Sequence, residues 1–259
     1  MKIASNGLQI HVEQRGVGDV ALVFLHYWGG SSRTWRKVIA ALPDRYRTVA
    51  PDHRGWGQSE APASGYALAD LAEDAQGVIA ALGVRRYLLI GHSMGGKVAQ
   101  LIAARRPEGL AGLVLVAPSP PSPLALPPEA RAQMAGAYTS RASVGATIDH
   151  VLAGKTLSAE DREQVIEDSL AGGEPAKAAW PAATSQEDIT AEVGRIEVPV
   201  EVIAGELDRV DTVETLRAEL LPRIPQAVLH VLPGTGHLSP LESPTDIARI
   251  VEALAARVL

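Results

Sequence analysis

A serine with glycine two residues before it and two after it stands in Gly91-His92-Ser93-Met94-Gly95, and Gly96 follows. That spacing is the mark of a nucleophile elbow, a tight turn from a buried strand into a helix that holds the serine strained and exposed. The glycines have a steric reason, since side chains two positions either side of so sharp a corner would meet the crossing strand and helix. The same turn aims the N–H of Met94, at a helix start, toward any negative charge that develops beside Ser93. A dinucleotide loop is excluded, because Ser93 replaces its central glycine.

A serine hydroxyl is a weak nucleophile at neutral pH and needs a base within hydrogen-bond reach, itself oriented by a third group. Of the seven histidines, His11 falls in an edge strand, His92 is locked beside Ser93, His150 lies in a helical insertion and His230 sits inside a strand. His237 differs: it ends the Gly-rich loop Pro233-Gly234-Thr235-Gly236-His237, just past a strand's carboxyl end, where α/β sheets put their ligands. For the orienting acid, Glu206, Asp208 and Asp211 all follow the preceding strand. Asp208 lies four residues beyond that strand, far enough for the chain to turn back. Glu206 follows too closely, and Asp211 is expected at the start of the next helix as a cap.

The elements that must hold these residues are legible as alternating strands and helices. Residues 7–13 alternate as a half-exposed edge strand, and 20–25 is a buried apolar run that ends in His26-Tyr27-Trp28-Gly29-Gly30. A helix over 32–41, a strand over 46–50, a helix over 68–82, the elbow strand 87–90 and its helix 97–106 follow, then a strand over 113–117. Short links between alternating elements predict a mostly parallel central sheet with helices on both faces. Pro120, Pro121, Pro123, Pro127 and Pro128 then mark an exit from the core. Met134, Tyr138, Val144, Ile148 and Val151 read as helical anchors, and Ser158 to Asp161 as a capping box. Residues 119–193 are therefore expected to form a helical cap inserted in a core of residues 1–118 and 194–259. Strands over 198–204 and 226–232, a helix around 213–221 and a terminal helix opening at Ser243-Pro244 complete the core.

At 259 residues the chain suits one large domain with an insertion. A net charge of −6 without a basic stripe argues against nucleic acid. No cysteine is present, which excludes disulfides, thiol nucleophiles and thiolate metal sites. The N-terminus lacks a signal-peptide core and the apolar runs are strand-sized, so a cytoplasmic protein with no membrane partner is expected. No cofactor or metal is called for, and a homo-oligomer is compatible with the sequence.

Taken together, the Gly91 to Gly96 run, the order Ser93, Asp208, His237, the loop Asp52-x-Arg54-Gly55-x-Gly57-x-Ser59 and Gly234-x-Gly236-His237 before a terminal helix resemble the α/β-hydrolase family, over essentially the whole chain. The resemblance implies acyl transfer through a covalent serine ester, with Ser93 as nucleophile, His237 as base and Asp208 as orienting carboxylate. It implies oxyanion donors at Met94 and at Trp28, the latter in a loop usually written His-Gly-x. Here Tyr27 replaces the glycine, so its backbone is expected to be costly if the loop needs an unusual φ, and its phenol either enters the site or serves as a wall. Asp52, Arg54 and Ser59 are expected to hold their own loop together. Trp35, Trp56 and Trp180 are expected to pack, with Trp180 a candidate for the acyl pocket. The family makes a small ester or lactone the expected substrate. Perhydrolase, carbon–carbon hydrolase and hydroxynitrile lyase activities share the scaffold, and a receptor that keeps the triad without turnover is the contrasting class. A haloalkane dehalogenase is disfavoured, because those relatives carry aspartate where this chain has Ser93.

Overall fold

A computed structural model describes residues 1–259. Eight strands form a single sheet: β1 (Lys2–Ser5), β2 (Leu8–Arg15), β3 (Val20–Leu25), β4 (Arg47–Pro51), β5 (Arg86–His92), β6 (Leu110–Val116), β7 (Val200–Gly205) and β8 (Ala227–Leu232). Their spatial order is β1-β2-β4-β3-β5-β6-β7-β8. β1 and β2 pair antiparallel, as do β2 and β4, and every other pair is parallel.

The strand over residues 8–15 is thus not at the edge; β1 lies outside it. Asn6 (φ 46°) and Gly7 (φ 77°) both take the positive φ of a two-residue hairpin turn, which folds the first residues back as the outer strand. His11 is correspondingly buried, its ring bonded to Asp52.

The central strands are covered on both faces, and alternate side chains go to opposite layers. Val23, Leu25, Leu89, Leu113 and Leu115 belong to one apolar core, and Leu22, Phe24, Leu88, Ile90, Val114 and Val116 to the other. The second core is closed by α1 (Arg36–Ala41), reached through a 3₁₀ turn at Ser32–Trp35, and by the C-terminal helix, whose Ile247, Val251 and Leu254 face inward. The first is closed by α2 (Leu68–Ala81) and α3 (Met94–Ala104).

Between β6 and β7 the chain leaves the sheet and forms α4 (Pro128–Ala135), α5 (Arg141–Thr147), a π turn at Ile148–Leu152, α6 (Ala159–Ala171), α7 (Glu174–Ala182) and α8 (Thr190–Val193). Pro128 opens α4 at its first position, where the missing N–H costs nothing, so it does not lie outside helical structure as expected. Ser158 caps α6 by accepting from the Asp161 N–H at 3.1 Å. Val144 and Ile148 are buried anchors, but Val151 is exposed and Leu152 takes its place inside.

After β7 comes α9 (Val213–Thr215), continued by a π turn and a 3₁₀ turn to Arg223. Its cap is Thr212, which accepts from Thr215 N–H, and not Asp211. A short helix, α10 (Ser239–Glu242), precedes α11 (Pro244–Val258). Ser243 does not cap α11 with its side chain; its hydroxyl bonds Thr235 Oγ1 at 2.7 Å.

Candidate active site

Ser93 sits between β5 and α3 with φ 52° and ψ −115°, a backbone that only a heavily constrained corner keeps for a non-glycine residue. The constraint is visible: its N–H donates to Val116 O at 3.1 Å, and its carbonyl accepts from Lys97 and Ser119 N–H groups at 3.0 and 3.2 Å. A Cβ at Gly91 would press on the Gly95 carbonyl, and one at Gly95 would lie 2.5 Å from His26 O. Both glycines are therefore required where the strand, the turn and the first turn of α3 pack on the end of β3.

His237, in the loop after β8, bonds Asp208 in the loop after β7: His237 Nδ1–H donates to Asp208 Oδ2 at 2.8 Å, with both side chains buried. The other oxygen, Asp208 Oδ1, accepts the N–H groups of Val210 and Asp211 at 2.8 and 3.1 Å. Three donors converging on one carboxylate fix its orientation. Burial opposes a charge on the His237 ring, but Asp208, by charge and by hydrogen bond, more than offsets this and raises the ring's pKa above the ordinary 6.5. The ring is placed from behind as well. Its backbone N–H donates to Leu152 O at 2.8 Å, and its carbonyl accepts His92 Nε2–H at 2.8 Å. No hydrogen bond joins Ser93 Oγ to His237 Nε2.

Of the other two acids, Glu206 accepts Gly234 N–H at 2.8 Å and braces the loop after β8. Asp211 is fully buried, with Ser119 Oγ 3.3 Å from Oδ2 and no partner on Oδ1. Burial raises its carboxyl well above the usual carboxylate range.

Met94 is the first residue of α3, so its N–H has no carbonyl within the helix, and the Trp28 N–H makes no backbone bond. Tyr27 brings no strain to this loop, because the positive φ falls on Gly29 (97°) instead. Its ring is buried against His92, with centroids 5.0 Å apart, and a Cβ at Gly30 would strike it. The ring is thus packed between the elbow and its own loop.

Residues that the sequence reading passed over fix this loop. His26 donates from Nδ1 to Tyr27 O at 2.7 Å and accepts His53 N–H on Nε2 at 2.9 Å, a neutral ring whose pKa burial lowers further. From the insertion, Tyr138 OH, in the link between α4 and α5, donates to Trp28 O at 3.0 Å, and Ser169 Oγ, on α6, donates to Gly29 O at 2.9 Å. A histidine at position 26, directly after a buried strand, was the available signal for the first pair. Nothing local signals the second.

The Asp52, Arg54 and Ser59 loop behaves as a scaffold. Asp52 accepts from Ser32 N–H, Gln58 N–H and the His11 ring, and Arg54 grips buried Asp74 through two bonds of 2.6 Å. Trp35 packs against Phe24. Trp56 packs edge-on against Trp28 and Tyr138, and with Trp180 it lines a small cavity that also touches Tyr66, Leu71, Met94, Ala176, Ala179 and Thr184. The cavity measures about 10 Å³, room for one water-sized sphere.

A sheet of this order, with a strained serine, a histidine and a carboxylate on the loops at its carboxyl edge, defines a hydrolase scaffold. Residues 20–149 match the alpha/beta hydrolase fold family, and the chain belongs to that family. It is similar to the soluble epoxide hydrolase of Corynebacterium sp. strain C12, 40% identical over 94 residues, which are 36% of this chain; the chain spans about a third (32%) of that relative's length. It is 29% identical to 3-oxoadipate enol-lactonase 2 of Acinetobacter baylyi over 239 residues, covering 92% of this chain and 89% of the relative. Among solved structures, an esterase from Exiguobacterium antarcticum superposes with a TM-score of 0.89 at 22% identity, covering 98% of both chains, which speaks for the fold alone.

Proposed function

We propose that this hydrolase cleaves a small carboxylic ester or lactone through an acyl-serine intermediate. The observation that carries the reading is Ser93 at positive φ on the turn into α3, at the sheet edge where His237 is oriented by Asp208 at 2.8 Å. Ser93 Oγ attacks the substrate carbonyl while His237 Nε2 takes its proton. The N–H groups of Met94 and Trp28 receive the oxyanion. Collapse breaks the bond to the leaving oxygen, which takes the proton back from His237; for a lactone that alcohol stays tethered to the acyl group. Water then attacks the acyl-serine as His237 accepts its proton; collapse breaks the bond between the acyl carbon and Ser93 Oγ, His237 returns the proton to Oγ, and the acid leaves. Asp208 holds the ring in the Nδ1–H tautomer and stabilises the imidazolium that forms. Residues 119–193 act as a cap, a role supported by their bonds to the Trp28-Gly29 carbonyls and by Leu152 on the histidine loop.

The test is a panel of aryl esters and lactones with wild type and Ser93→Ala, together with labelling by an organophosphonate. Multiple turnovers by the wild type, labelling at Ser93 and loss of turnover in the variant are expected, with the fold intact. Binding without turnover would point to a receptor instead, and an alanine variant that kept most of its activity would end the serine mechanism.

A further inference from the structure

The loop that carries Trp28 makes little structure of its own. Within residues 27–30 the one backbone bond runs from Gly30 N–H to Tyr27 O at 3.0 Å, across a Gly29 at φ 97°, the pattern of a type II turn. Such a turn can pass to its type I form by turning the Trp28–Gly29 peptide over, since both forms keep the bond that closes it. Trp28 O and Gly29 O have no backbone partner, and both are taken by hydroxyls of the insertion. Tyr138 OH reaches the first at 3.0 Å and Ser169 Oγ the second at 2.9 Å.

The fit at these two bonds is close. Tyr138 is buried, and its ring stacks on that of Trp28 with centroids 4.3 Å apart. A Cβ at Gly29 would lie 2.4 Å from the tyrosine ring, so only glycine leaves it room. Burial raises the Tyr138 pKa, which keeps the phenol a donor. Ser169 is buried on α6, and its neighbour Asp168 is held to the core by Arg33 at 2.7 Å.

The two oxyanion donors are therefore held by different means. Met94 N–H is fixed by α3 itself, whereas Trp28 N–H belongs to a turn whose free carbonyls lean on the insertion. A donor stabilises a transition state fully only if it is aimed before the charge develops. We propose that Tyr138 and Ser169 are positioning residues for the oxyanion hole, their hydroxyls holding the Trp28 and Gly29 carbonyls so that Trp28 N–H stays aimed at the carbonyl that Ser93 attacks. The proposal rests on the serine-hydrolase reading above, and it makes catalytic competence depend on the insertion lying closed over the sheet.

The test compares the wild type with Tyr138→Phe, Ser169→Ala and, as a control, Ser5→Ala. Each variant loses one buried hydroxyl bond to a backbone carbonyl; the Ser5 bond, to Asp74 O at 2.8 Å, joins β1 to α2 and lies away from the loop. On p-nitrophenyl acetate, kcat in either loop variant should fall about tenfold with KM within about twofold. That is less than the roughly 10²–10³-fold loss that removing an oxyanion donor outright brings. A trifluoromethyl ketone reports on the hole directly: its carbonyl carbon bonds Ser93 Oγ, the serine proton passes to His237, and the former carbonyl oxygen becomes the anion. Its Ki should rise by the same factor as kcat falls. Ser5→Ala should lower the denaturation midpoint yet keep the wild-type kcat and Ki. If Tyr138→Phe does not fold, Ser169→Ala decides alone. A kcat that holds in the loop variants, a loss that falls on KM, or a ketone Ki that stays at the wild-type value overturns the positioning role and leaves the serine-hydrolase reading standing. A wild type with neither ester turnover nor an organophosphonate label at Ser93 removes the reading itself.

Discussion

His237 has two buried acids near it, and they differ in kind. Asp208 bonds its ring and carries three donors, while Asp211 meets only Ser119 Oγ and is pushed toward its neutral form by burial. Asp208→Asn keeps the shape but loses the charge that fixes the tautomer; the corresponding change in serine proteases lowers turnover by about 10⁴. The same substitution at Asp211 replaces a group that burial pushes toward neutrality and that makes no bond to the ring, and kcat should change by less than about tenfold. Side-by-side kcat values decide this, and a larger loss at Asp211 would move the orienting role three residues along. The ring's own titration gives a second expectation. Activity needs unprotonated His237, and Asp208 raises its pKa, so kcat/KM should climb with pH through a midpoint above 6.5. In Asp208→Asn that midpoint should fall, because burial alone lowers the pKa of the ring; an unmoved limb in the variant would assign the titration to another group.

At the scale of elements, the inserted helices are fastened to the core by charge. Arg33 bonds Asp168 through Nε and Nη2 at 3.0 and 2.7 Å, and Arg36 and Lys37 converge on Asp161 at 2.9 and 2.5 Å. Exposed ion pairs contribute little, but Asp161 is itself buried and also accepts from Ser158 Oγ at 2.6 Å. Asp161→Asn should lower stability by about 1–3 kcal/mol. The loss should shrink in high salt, where the arginine and lysine gain less from their partner. Denaturant melts of both proteins at low and high salt check this, and an unchanged midpoint at low salt would show that the strap holds nothing. The helix itself was readable from its Ser158 cap, and the strap was not. Its partners are more than a hundred residues apart, and charge on an amphipathic helix looks the same whether it meets water or an arginine. The edge hairpin is the opposite case. Asn6-Gly7 is a strong local turn signal, and the outer strand before it was there to be read.

Across the whole molecule, what was legible followed from local sterics. The elbow glycines, the alternation of strands and helices and the loops that end in Asp208 and His237 each depend on neighbours within a few residues. The roles of Tyr138, Ser169 and Leu152 depend on how the insertion folds over the sheet, and no short pattern encodes that. Glu242 is the clearest instance. Its Oε2 accepts the N–H groups of Gly236, Gly154 and Lys155 at 2.9, 3.0 and 3.2 Å, which joins the insertion to the residue before His237. Gly154 and Gly236 stand so close that a Cβ on either would strike the other's backbone, so the junction admits no side chain. Removing the carboxylate in Glu242→Ala leaves three N–H groups without their acceptor and should cost about 1–3 kcal/mol in stability. Because His237 N–H also leans on Leu152 O, the ring should lose its placement, with kcat falling roughly 10- to 100-fold. Hydrogen exchange separates this from a general loosening: amides at 152–155 and 236–238 should exchange faster together, while those of β5 and β6 stay protected. If the two segments exchange independently, or kcat holds while stability drops, Glu242 is a local brace and the insertion does not set the position of His237.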